Sequence, residues 1–163
     1  MMTKFSRRAI AATTLLLVST VQAQDDVIAN PDMQAARESI RATQEAFIRS
    51  DLGLTAEEAS AFWPVFERYR SDTLPVRDRY VRLFADFLQR YDAGALTAEH
   101  AERMLREYFD IRIGLLEIRE DYIEAFAEVL PMLKVVRLYQ LENKLTADVE
   151  AELSLIVPLV EVE

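Results

Sequence analysis

Leu54-Thr55-Ala56-Glu57-Glu58-Ala59-Ser60-Ala61-Phe62-Trp63-Pro64-Val65-Phe66 holds both the start of a helix and the first turns of its buried face. Thr55 is an N-cap residue type, and Glu58, three positions on, can return a hydrogen bond to the cap's own N–H, forming a capping box. Apolar or neutral side chains then fall at Phe62, Phe66, Tyr69, Thr73, Val76, Tyr80, Leu83 and Phe87. Steps of four and three keep them on one side, so the spacing predicts a helix of roughly seven turns with one buried face. Pro64 and Pro75 lie inside it. Each lacks a backbone donor and crowds the preceding turn, predicting a bend near Asp72 to Pro75 and a milder disturbance near Pro64.

Outward from this helix the pattern repeats. After the break at Asp92-Ala93-Gly94-Ala95, Leu96-Thr97-Ala98-Glu99-His100 opens a second long helix with Thr97 as cap. Its seam runs through Ala101, Met104, Tyr108, Ile111, Leu115, Ile118, Tyr122, Ala125, Val129 and Met132. Leu105, Phe109, Leu116, Ile123, Phe126 and Leu130 widen this stripe, which predicts packing among several helices or against a second molecule. Pro131 kinks or ends the helix, and a further segment from Lys134 to about Val157 is closed by Pro158. Upstream, Asn30-Pro31 supplies a cap and a proline at the first helical position, opening a helix to about Ser50 that Gly53 stops. With glycine only at Gly53, Gly94 and Gly114 and no β-branched alternation, the reading is all-α. Four long, partly kinked amphipathic helices form an elongated hairpin or bundle.

The N-terminus has a different character. Lys4, Arg7 and Arg8 precede an uncharged run from Ala9 to Val21, and Val21-Gln22-Ala23 offers small residues for cleavage. Residues 1–23 read as a signal peptide, with an apolar stretch too short to span a bilayer. Arg7-Arg8 also admits a twin-arginine reading, but the flanks and the lack of a cofactor motif favour the general secretory route. Residues 24–163 make one domain. Removing the three cations takes the formal charge from −9 to −12, which opposes nucleic-acid binding by phosphate neutralisation. Without cysteine the chain has neither disulfides nor a lipid-anchoring thiol. No apolar run after the signal is long enough to cross a membrane. A soluble periplasmic protein follows.

Catalytic resources are sparse. His100 is the only histidine, and Ser39, Ser50, Ser60, Ser71 and Ser154 lack the flanking glycines of a nucleophile turn. Aspartates and glutamates read as charged helix faces or caps, with Asp78–Arg82, Asp86–Arg90, Glu99–Arg103 and Glu102–Arg106 at helical pair spacing. No enzyme, cofactor or metal site is therefore expected. His100, with Glu99, Glu102 and Glu107 nearby, is the candidate metal ligand if one exists, and a single histidine would need a second copy of the chain to complete a site. Apolar recognition is the better prospect. Phe62, Trp63 and Phe66 put aromatic rings on more than one side of a helix, while Val157-Pro158-Leu159-Val160 leaves an apolar tail. These groups either complete the core or meet a client.

The paired starts at Leu54, Thr55, Glu58 and at Leu96, Thr97 resemble the LTxxQ motif of the Spy/CpxP-like family of periplasmic proteins. Glu58 and His100 stand where that motif has Gln. Ala59 to Phe66, Val129-Leu130-Pro131 and Arg137 to Lys144 look like an uncharacterised branch of exported bacterial proteins related to it, and the likeness covers nearly all of residues 31–160. The resemblance implies an elongated helical hairpin, often a cradle-shaped homodimer, that binds unfolded or envelope proteins without ATP or senses envelope stress. Phe62, Trp63, Phe66, Arg70 and Arg77 are the residues expected at the client or partner surface, with arginines attracting acidic chains and apolar area holding them. A metal-responsive sensor and a structural module of the envelope are the alternatives.

Overall fold

A computed structural model describes residues 27–161; the signal-peptide reading of residues 1–23 lies outside them. Four long helices and no strand are present among the described residues: α1 Pro31–Asp51, α2 Ala56–Asp92, α3 Ala98–Ala127 and α4 Met132–Ile156.

Local chemistry accounts for each boundary. The Asn30 side chain accepts the Asp32 amide, with Pro31 in the first turn of α1, and Gly53 follows at φ 61, the left-handed conformation glycine adopts without strain. At α2 the capping box is complete: the Glu58 amide donates to Thr55 Oγ1 at 3.2 Å, and the Thr55 amide to Glu58 Oε2 at 2.8 Å. Helix α2 closes at Gly94, also at φ 61. There the Gly94 amide bonds the Tyr91 carbonyl and the Ala95 amide bonds that of Arg90, a Schellman pair. Thr97 caps α3 by accepting from the His100 amide.

Both prolines of α2 are accommodated within one continuous 37-residue helix, a rod of about 55 Å. Pro64, Pro75 and the residues four before them, Ser60 and Ser71, are all exposed. The carbonyls that lose their amide partners thus lie on the solvent side. Pro131 separates two helices instead of kinking one: α3 ends at Ala127, and Val129 and Leu130 lie in the turn. The seam expected to run on to Met132 therefore stops early. Met132 begins α4, two residues before the expected start at Lys134, and is exposed.

Contacts fix the directions of the helices. Helix α2 packs most extensively on α3, while α1 and α3 each lie against α4. Antiparallel pairing of α2 and α3 brings Asp72 to Tyr122 and Arg79 to Glu107. Helix α1 runs opposite to α4, with Gln44 meeting Glu142 and Arg137 meeting the Asp51 carbonyl. Buried side chains concentrate where all four helices meet: Ile48, Phe62, Phe66, Tyr69, Phe126 and Leu138. Their rings touch edge to face and tilted, Phe66 to Tyr69 at 5.9 Å and Tyr69 to Phe126 at 5.7 Å. Along α2 the predicted seam then grades outward. Phe62, Phe66, Tyr69 and Thr73 are buried, but Val76, Tyr80, Leu83 and Phe87 are half-buried, because they lie beyond the cluster in which the four helices meet.

Candidate functional site

Helix α4 carries its core residues at Val135, Leu138, Leu141 and Glu142. A carboxylate thus occupies a position in the apolar seam. Glu142 is 5% exposed, which corrects the expectation that every acidic residue sits on a charged face or a cap. Three helices supply its partners. Tyr69 of α2 donates its hydroxyl to Oε2 at 2.6 Å, and Gln44 of α1 donates Nε2 to Oε1 at 3.1 Å. From α3, Arg119 lies 4.0 Å from Oε2 and is held by Asn143 at 2.7 Å. Satisfying both oxygens is what makes a buried carboxyl tolerable.

Burial dominates the electrostatics of this group. It raises the Glu142 carboxyl above its ordinary value, against the hydrogen bonds from Tyr69 and Gln44 and the charges of Arg77 and Arg119. Tyr69 is also pushed up, first by burial and then by the Glu142 charge, and Tyr139 rises to about 12 for the same two reasons.

Beside Glu142 lies a cleft of about 420 Å³ bordered by all four helices. Ile40, Leu115, Leu116, Leu145, Val149 and Leu153 make most of its wall. Polar and charged side chains line it as well: Gln44, Tyr69 and Arg119 beside the buried Glu142 carboxyl, and Ser39, Thr43, Arg77, Thr146, Asp148 and Glu152. Arg112, at the wall, is paired with Glu150 across α3 and α4. The cleft thus joins an aliphatic wall to charges of both signs. The sequence signal was available, since Glu142 follows Val135 and Leu138 at helical spacing.

The residues expected at the client surface separate. Phe62 and Phe66 are fully buried, stacked at 5.2 Å, so no client reaches them in this fold. They are core residues. Trp63 is half-buried beneath the Arg49 guanidinium at 4.1 Å. Arg70 ties α2 to α1 through Glu45 at 2.7 Å, and its bond holds the Glu45 carboxyl below its usual value. Only Arg77 reaches a site, acting on Glu142 through the cleft. Of the helix-start residues, Leu54 packs partly buried on the core, and Leu96 is half-buried.

His100 stands in a second cleft, of about 400 Å³, between the far parts of α2 and α3, with Arg79, Arg82, Arg90 and Arg103 around it. Its Nδ1 is 2.9 Å from the Thr97 hydroxyl and its Nε2 3.3 Å from Arg90. A guanidinium can only donate, so Nε2 accepts, and its lone pair is directed at Arg90. Among the described residues no group of three or more histidine or acidic side chains is placed to hold a metal.

The outer side of α3 is apolar. Leu105, Phe109, Ile113, Leu116 and Ile123 recur at steps of four, three and seven, each more than a third exposed. Leu133, Leu155 and Leu159 add exposed area toward the two ends of α4. Of the widening residues named from sequence, Phe126 and Leu130 went into the core and the other four did not. No helix among the described residues is long and apolar enough to cross a membrane. No family model, curated protein or solved structure matches the chain.

Proposed function

We propose that this chain is exported to the periplasm, cleaved after Ala23, and acts there as a non-enzymatic binding protein, a chaperone-like or envelope-stress adaptor for unfolded or partner proteins. The single observation that carries the reading is the exposed apolar stripe of α3. Five large apolar side chains aligned on one helix face amount to more exposed apolar surface than scattered residues provide, and such patches mark contact surfaces. The likeness of the paired helix starts to the Spy/CpxP-like family supports the same reading. In it the four helices form an antiparallel bundle, the α2–α3 pair projects beyond the shared core, and two copies associate.

Aggregation assays test it. Purified residues 24–163 are expected to slow the aggregation of a chemically denatured client, and the combined variant Leu105→Gln, Phe109→Gln, Ile113→Gln to abolish that protection while keeping the helical circular dichroism spectrum. Equal protection by the variant refutes the stripe as contact surface. A stoichiometric partner in an envelope pull-down, with no general protection, indicates the structural module instead. Sizing with and without the client measures self-association and capture together.

A further inference from the structure

We infer that the cleft at His100 binds a small phosphate anion with two or more phosphoryl groups, held by the arginines of α2 and α3 that border it.

The charge of the lining sets the class of ligand. Arg79, Arg82 and Arg90 of α2 and Arg103 of α3 line the cleft, and the acidic residues among its lining are Asp86 and Glu107. Two positive charges are thus in excess there, before any contribution from His100, in a chain whose formal charge is −9. At physiological ionic strength, exposed charges farther away than about 8 Å are largely screened. A small anion in the cleft therefore feels the local excess, whereas a long polyanion also meets the acidic remainder of the chain. The same four guanidinium groups repel a divalent cation, which argues against His100 as a metal ligand.

Existing ion pairs leave donors for such an anion. Arg79 gives Nε to Glu107 at 2.9 Å, so both of its terminal amino groups lie outside that bond. Arg103 gives Nη1 to Glu99 at 2.6 Å, and Glu99 does not line the cleft. Arg90 gives Nε to both oxygens of Asp86 at 2.9 Å, with Nη1 toward His100. A guanidinium carries five N–H donors in a planar fork, more than one carboxylate can engage. Arg79 and Arg103 are also within reach of solvent, their side chains 43% and 55% exposed.

Spacing sets the form of the anion. Arg79 and Arg90 are eleven residues apart on α2, about 16 Å along the helix axis, so linked phosphoryl groups meet more of the four arginines than a single one does. Each tetrahedral group accepts from several directions, here from two facing helices, where a planar carboxylate takes one fork. A volume of about 400 Å³ also leaves room, beside Leu83 and Met104, for an organic part of a larger ligand.

Leu105, Phe109 and Ile113 do not line this cleft, so its test is independent of the aggregation assay. Titration calorimetry on the full mature chain, at fixed pH and ionic strength, compares inorganic diphosphate with sulfate and citrate. Diphosphate is expected to bind saturably at one per chain and at least about tenfold tighter than either. Equal affinity for adenosine diphosphate assigns the free anion, and tighter binding of it assigns a diphosphate carried on a larger molecule; either result supports the site. Arg103→Gln is expected to lower the affinity at least about tenfold, and Glu107→Gln, which removes an acid from the lining, to raise it. Arg106→Gln makes the same change in net charge outside the cleft, at a side chain 75% exposed, and is expected to leave the affinity within about twofold. Arg103 and Arg106 each pair within α3 alone, so neither variant threatens the packing of the helices, and thermal melts check this. Diphosphate that does not saturate overturns the inference, as does citrate binding equally tightly. An equal loss in Arg103→Gln and Arg106→Gln also overturns it, because general charge attraction then accounts for the binding.

Discussion

Glu142 and Phe66 show what a single position decides. The buried carboxyl has its titration raised by desolvation, so between its unfolded and folded values the native state binds more protons than the unfolded chain. Its contribution to stability is then fully present below the unfolded value and is lost as pH rises through the raised one. Glu142→Gln removes that dependence while leaving an acceptor for Tyr69. Denaturant midpoints measured from pH 4 to pH 8 are expected to shift in favour of the Gln variant as pH increases, and a difference that stays flat contradicts the assignment. Phe66 makes the opposite kind of prediction. Fully buried among Phe62, Tyr69 and Phe126, its replacement by Ala costs about 3–5 kcal/mol in unfolding free energy. A client-contact residue on the surface would cost almost nothing. From sequence the aromatic excess was visible, but which rings the neighbouring helices cover is a property of how four helices meet. Glu142 was missed because the composition rule that carboxylates face water outweighed its place in the seam.

Helices were the most legible level. Two threonine caps, two left-handed glycines and the 3–4 seams are local chemistry, so α1, α2 and α3 begin within a residue of where the sequence put them. Thr55→Ala removes the side-chain half of the capping box and is expected to cost about 1 kcal/mol by chemical denaturation. Glu58 adds a bond to Lys134 of α4, and that bond, ahead of the one from Thr55, holds its carboxyl below the usual value. Its stabilisation is accordingly present at neutral pH and fades as pH falls through the lowered value. Gly114 is the interior glycine of α3, and a Cβ there would meet Val76 Cγ1 at an ordinary 3.8 Å. Gly114→Ala should therefore raise stability by about 0.5–1 kcal/mol, read as a higher melting temperature. A loss would mean that the α2–α3 packing is tighter than that distance. What local rules left open was Pro131, whose stop or kink depends on whether Leu130 and Val135 are both drawn into one core.

At the scale of the whole molecule, pairing between sequence neighbours contrasts with pairing between chain ends. Helices α2 and α3 are joined by the short Gly94 turn and share the largest contact, whereas α1 meets α4 across most of the sequence, as in the Gln44–Glu142 bond. Those distant contacts are polar or peripheral along much of α1, where Ile48 is the one helical residue fully buried. Loop closure makes local pairs form early and distant pairs late. The Gly94 turn is accordingly expected to act as a kinetic staple, with α2 and α3 assembling first and parting last and α1 docking and undocking as a separate cooperative unit. Amide hydrogen exchange is expected to be slowest near Phe66 and Phe126 and fastest across Pro31–Ser50, with intermediate rates in the outer part of α4. Each departure of α1 would carry Gln44 away from Glu142 and let water reach the buried carboxyl, so the rate at which that group exchanges its proton with solvent is expected to follow the unit that folds last.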